Sequence, residues 1–172
     1  MHKIPQITIY ARQAGVAITP FERRSEGRAT EGRILLRFFR LESGSNAIRF
    51  IVEPAEAFAL YDKIHRIVRD GGQESLKHSF NRPDGEVQTR LTVERWGRNG
   101  KSGYALSVRR GEEQLNVPVQ LEQFLYTAEF LRHLSLQQAW VEEPEGAAEQ
   151  TKTVGVGTGS GQEIRPRALP TE

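Results

Sequence analysis

The sequence predicts an α+β fold: two antiparallel four-stranded sheets, each closed by one helix, so that a ββββα unit occurs twice ahead of a flexible tail. Three observations carry this expectation. Alternating apolar residues run straight into a helical apolar stripe at two places, once from Ile48, Phe50 and Val52 and once from Leu115, Val117 and Val119. Those two joints superpose, with Glu56-Ala57-Phe58 lying 66 positions before Glu122-Gln123-Phe124. A period this long suits a duplicated strand-rich unit with its own helix and not a solenoid. Finally, from Glu142-Glu143-Pro144 onward the chain is Gly, Thr, Ser, Pro and charge, without aromatic residues or periodicity. The expected organisation is a domain over residues 1–140, with units near 6–72 and 73–140, and an acidic Gly-rich tail over 141–172.

Each element has its own signal. Ile7, Ile9 and Ala11, then Val16 and Ile18, predict two strands bent at Gly15. Phe21 to Gly32 reads as a polar loop. Arg33–Leu41 and Asn46–Val52 flank Glu42-Ser43-Gly44-Ser45, a turn of hairpin length. Pro54 suits a first helical turn, and Ala57, Leu60, Tyr61, Ile64, Ile67 and Val68 keep helical spacing until Gly71-Gly72. The second unit follows with Ser75–Phe80, a turn at residues 81–85, Val87–Trp96, a turn at Arg98-Asn99-Gly100, and Tyr104–Arg109. Gly111-Glu112 turns the chain into the strand of Leu115, Val117 and Val119, and the closing helix carries Leu121, Phe124, Leu125, Ala128, Leu131 and Leu134. Phe58 and Phe124 are expected to seat the two helices in the core.

Composition excludes several functions. A length of 172 residues fits one domain with a real core. No apolar run reaches the roughly 20 residues of a membrane helix, and Met1-His2-Lys3-Ile4-Pro5 has no apolar stretch behind its charge. A cytoplasmic address without membrane contact is therefore expected. With no cysteine there is no disulfide, thiolate ligand or cysteine nucleophile. His2, His65, His78 and His133 lack metal-ligand spacing, no Gly-x-Ser-x-Gly elbow is present, and the paired glutamates fall in a turn and in the tail. The glycine run 154–161 lacks the lysine and following helix of a phosphate loop. No enzyme activity, metal or cofactor is expected.

Charge is uneven along the chain. Up to Trp140 there are 21 basic and 16 acidic residues, whereas Val141–Glu172 holds 3 and 6. Arginine supplies 19 of the 24 cations, and arginine forks onto phosphate and stacks on flat rings. Strand alternation then sorts residues by face. Ile34, Leu36 and Phe38 point inward with Ile48, Phe50 and Val52, leaving Arg37, Phe39 and Arg49 outward, with Tyr10 and Arg12 from the first strand. In the second unit Val87, Leu91 and Val93 point inward, opposite Arg90, Trp96 and Arg98, and Arg109 belongs with these. Cations beside rings are what a single-stranded nucleic acid needs, the cations for its backbone and the rings for its bases. The candidate site is Tyr10, Arg12, Arg37, Phe39, Arg49, Arg90, Trp96, Arg98 and Arg109. Arginine and aromatic residues are also enriched in protein interfaces, so a structural or adaptor subunit docking its sheets onto a larger assembly is the alternative.

The run from Gly32 to Arg40, a short turn, and Ile48-Arg-Phe-Ile-Val-Glu-Pro-Ala-Glu-Ala-Phe58 resemble the strand, hairpin and helix opening of the Pur-alpha, whirly and positive-cofactor-four group of single-stranded nucleic acid binding proteins. Val117-Pro-Val-Gln-Leu-Glu-Gln-Phe124 is similar, with Leu121 in place of the proline. The resemblance covers Ile7 to about Trp140. It implies a four-stranded sheet followed by one helix, used twice by duplication or dimerisation, with unpaired bases held on the outer sheet faces. The partners it implies are single-stranded DNA or RNA, with a homodimer or protein contact through a sheet face or the tail.

Overall fold

The computed structural model describes residues 1–42, 44 and 46–143. The element order is β1 (Ile7–Tyr10), β2 (Ala14–Ser25), β3 (Arg28–Arg40), β4 (Ile48–Val52), α1 (Pro54–Asp70), β5 (Gln73–Arg82), β6 (Gly85–Arg98), β7 (Lys101–Arg110), β8 (Glu113–Val119) and α2 (Leu121–Gln137). Each group of four strands is an antiparallel meander, ordered β1-β2-β3-β4 and β5-β6-β7-β8. The duplicated ββββα unit expected from the sequence is what the chain forms. Ser43 and Ser45 of the expected hairpin turn, and the tail and its glycine run from residue 144, lie outside the described residues.

Period-two burial builds the sheets. Val16, Ile18, Ile34, Leu36, Phe38, Ile48, Phe50 and Val52 from the first sheet join Leu91, Val93, Leu106, Val108, Leu115 and Val117 from the second in one buried cluster. Ala57, Leu60, Ile64 and Ile67 of α1, with Phe124, Ala128, Leu131 and Leu134 of α2, complete it. The helices pack on each other, and α1 touches β3 of one sheet and β6 of the other. No described helix is long and apolar enough to cross a membrane.

Four expectations are corrected. The bend between the first two strands lies at Ala11–Gln13, and Gly15 sits inside β2 opposite Phe39. Residues 21–32 are not a polar loop. They are the far half of a long β2–β3 hairpin whose turn is Glu26-Gly27, both at positive φ (50° and 81°), the backbone that a tight hairpin turn needs. Asn99-Gly100 makes the matching turn between β6 and β7 at φ 51° and 73°. The turn expected over residues 81–85 is shorter, because β5 runs to Arg82 and β6 starts at Gly85.

The two units also align one residue away from the expected offset. Glu56 reaches back to the Glu53 N–H at 2.9 Å, and Gln123 does the same to Gln120 at 3.1 Å, so these two pairs open equivalent helices. The period is therefore 67, with Ala57 matching Phe124. Phe58 is one residue, about 100°, round the helix from the core face and is 48% exposed, whereas Phe124 is fully buried and stacks on Tyr104 at 4.8 Å. In the first unit the large ring comes from the strand instead, as buried Phe50 in the place of Val117.

The described chain continues past α2 along β3. Gly32 donates to Trp140 O at 3.0 Å and Glu142 donates to Thr30 O at 2.8 Å, giving the β3 edge a partner beyond the last residue of β4. A Cβ on Gly32 would collide with the Gln138 carbonyl. Gly32→Ala is therefore expected to release residues 138–142 while the sheets stay folded. Amide exchange should then speed up at position 32 and at Glu142, and unchanged protection there would contradict this account.

Candidate nucleic-acid interface

On the outer face of the first sheet, register brings the rings and cations together. Phe39 of β3 lies opposite Gly15, which lies opposite Tyr10 of β1. Glycine is what allows this arrangement, since a Cβ on residue 15 would sit 2.6 Å from the Phe39 ring. The ring lies down over the β2 backbone. Tyr10 meets its edge at 5.9 Å between centroids and is 66% exposed. Arg37 holds its guanidinium 5.0 Å from the Phe39 centroid, and Arg49, its cross-strand neighbour, lies 5.1 Å from the Phe21 centroid. Tyr10, Arg37, Phe39 and Arg49 thus form one alternating surface of rings and cations. Phe21 belongs to it, and sequence reasoning missed it because its surroundings read as a loop.

The face opposite this surface carries Val16, Ile18, Leu36, Phe38 and Phe50, all buried, so the rings of Tyr10 and Phe39 are not core residues of a helix layer. Arg12 does not join them. It lies in the β1–β2 turn and lines a groove of about 450 Å³ with Arg40 and with Gln114, Asn116 and Pro118 of β8.

The second sheet repeats the device once. Trp96 lies over Gly103, where a Cβ would come within 2.7 Å of the indole, and its Nε1–H donates to Tyr104 O at 3.3 Å. By strand register Trp96 occupies the place that Phe21 has in the first sheet, since each stands opposite the residue before the one paired with the end of the fourth strand. Arg98 sits beside Lys101 at the tip of the hairpin. Arg90 and Arg109 face each other across β6 and β7, but six residues separate Arg90 from Trp96, about 20 Å along a strand. The eight residues other than Arg12 are thus split between two sheet faces, compact on the first and dispersed on the second.

One arginine that the sequence did not single out ties the sheets together. Arg110 donates from Nη2 to Arg49 O at 2.9 Å and from Nε to Thr89 Oγ1 at 3.1 Å, with Phe80 5.9 Å away. Beside it His78 bonds Glu56 at 2.7 Å and stacks on Phe50 at 4.4 Å. Arg110, Phe80, His78 and Phe50 line, with Arg49 and Arg82, a cleft of about 290 Å³. No signal in the sequence places β4 next to the end of β7, so this seam was not legible.

Two solved structures share this architecture over most of their length. WHY1 from Arabidopsis thaliana superposes with a TM-score of 0.56 at 18% identity, over 89% of this chain and 99% of that one. The plant transcriptional regulator PBF-2 gives 0.54 at 18% identity, over 80% of this chain and 93% of its own. The common architecture is the whirly fold. The resemblance carried by the two helix openings therefore holds at the level of fold. Neither a protein-family model nor a curated protein matches the sequence. Within the whirly fold, the surface built here from Tyr10, Phe21, Arg37, Phe39 and Arg49 lies on the outer side of the first sheet.

Proposed function

We propose that this chain binds single-stranded nucleic acid, without catalysis, on the outer faces of its two sheets. The observation that carries the reading is the first sheet's surface, where Arg37 and Arg49 stand over exposed-side rings and Tyr10 projects beside them. Unpaired bases offer flat faces to such rings, and a duplex hides those faces in its stack. The fold supports the reading, because PBF-2, a transcriptional regulator, has the same architecture.

Salt dependence tests the cations. Neutralising both Arg37 and Arg49 to glutamine should lower the slope of log affinity against log salt by about one unit or slightly more. An unchanged slope would remove these two arginines from the interface.

A further inference from the structure

The outer face of the second sheet holds a cross-strand row of three cations, where the first sheet has only the pair Arg37 and Arg49. Lys77 of β5 stands opposite Arg90 of β6, and Arg90 stands opposite Arg109 of β7. All three are exposed. Adjacent strands lie about 4.8 Å apart, so the row spans roughly 10 Å with like charges side by side, an arrangement that destabilises a sheet. Among the described residues Lys77 and Arg90 form no hydrogen bond or ion pair, and Arg109 uses only its Nε, toward Gly111 O at 3.1 Å. Glu86 and Glu94 are the acids nearest to Arg90 along β6 on this face. Each is four residues away, about 13 Å along the strand; neither stands opposite a member of the row, although Glu86 lines a groove with Arg90 and Arg109. The neighbouring row is Ser75, Thr92, Ser107 and Asn116, hydroxyls and an amide. No aromatic side chain comes between.

We infer that the Lys77–Arg90–Arg109 row is a binding site for a chain of phosphates, read without regard to bases. This extends the single-strand reading by giving the two sheets different tasks, bases on the first and backbone on the second. A ligand of alternating ring and charge suits the first sheet. The row offers charge without rings, which suits a ligand that is anionic along its whole length. Phosphates placed there relieve the repulsion between the cations, so binding and sheet stability are coupled through mass action.

The test is thermal melting of the full chain with sodium tripolyphosphate, against sodium chloride at matched ionic strength. The wild type should melt higher with tripolyphosphate than with chloride. K77Q/R90Q/R109Q should melt at or above the wild type without ligand, because the repulsion is gone, and should lose the tripolyphosphate response. Its slope for oligothymidine binding should fall by about two units, at roughly 0.7 per released contact. Y10A/F39A should keep the tripolyphosphate response. An abasic phosphodiester chain that also raises the melting temperature identifies the ligand as nucleic-acid backbone, and a response to tripolyphosphate alone identifies it as condensed phosphate. No wild-type response, or an equal response in the triple variant, would overturn the inference. The single-strand reading fails separately, by loss of oligothymidine binding while the tripolyphosphate response persists.

Discussion

Truncating Phe124 to alanine is expected to cost about 3–5 kcal/mol, because the ring is fully buried and stacks on Tyr104 at the point where α2 meets the second sheet. A domain stable by only about 5–15 kcal/mol loses much of its margin in this way. The same truncation at Phe58 should stay within about 0.5–1 kcal/mol, since that ring is half exposed and touches Tyr61 at 5.4 Å on the helix surface. Urea unfolding of the two variants measures the contrast. Equal losses would mean that the helices align by their phenylalanines, at 66, and not by their first turns, at 67.

The second large effect concerns the ring surface. Removing Phe39 leaves Gly15 uncovered, takes the partner from under Arg37 and leaves Tyr10 without its edge contact. Single-strand binding by Phe39→Ala should weaken by about 1–3 kcal/mol, and Tyr10→Ala should cost a similar amount. Because the rings touch, the two losses should not add, and a double-mutant cycle should return a coupling above about 0.5 kcal/mol. Full additivity would mean that the rings act as separate sites.

What could be read from the sequence followed from short-range periodicity. Ile34, Leu36 and Phe38 against Arg37 and Phe39 gave the faces of β3 correctly, since side chains must alternate along a strand. Asn99-Gly100 gave its turn because few residues accept that backbone. The hairpin arm over residues 21–32 is not legible in the sequence, because Glu22, Arg23, Arg24, Glu26 and Glu31 are polar on both faces and leave no period to detect. Matching the helices by their phenylalanines gives an offset one residue short, because the first-turn pairs Glu53/Glu56 and Gln120/Gln123 set the alignment.

The site was legible strand by strand and illegible across strands. Which residues of β6 face outward follows from alternation, but that Arg90 lies between Lys77 and Arg109 depends on hairpin registers set by turn geometry. Phe39 over Gly15 and Trp96 over Gly103 are likewise pairings between distant positions. The pairing of residues 140–142 with β3 joins segments more than a hundred positions apart, and nothing in either segment announces it.

The most direct measurement is a fluorescence titration of the full chain against a labelled polypyrimidine strand and against its duplex, repeated across a series of salt concentrations. The account predicts tighter binding to the single strand, with log affinity falling linearly as log salt rises. Equal affinity for strand and duplex, or single-strand binding that ignores salt, would contradict it.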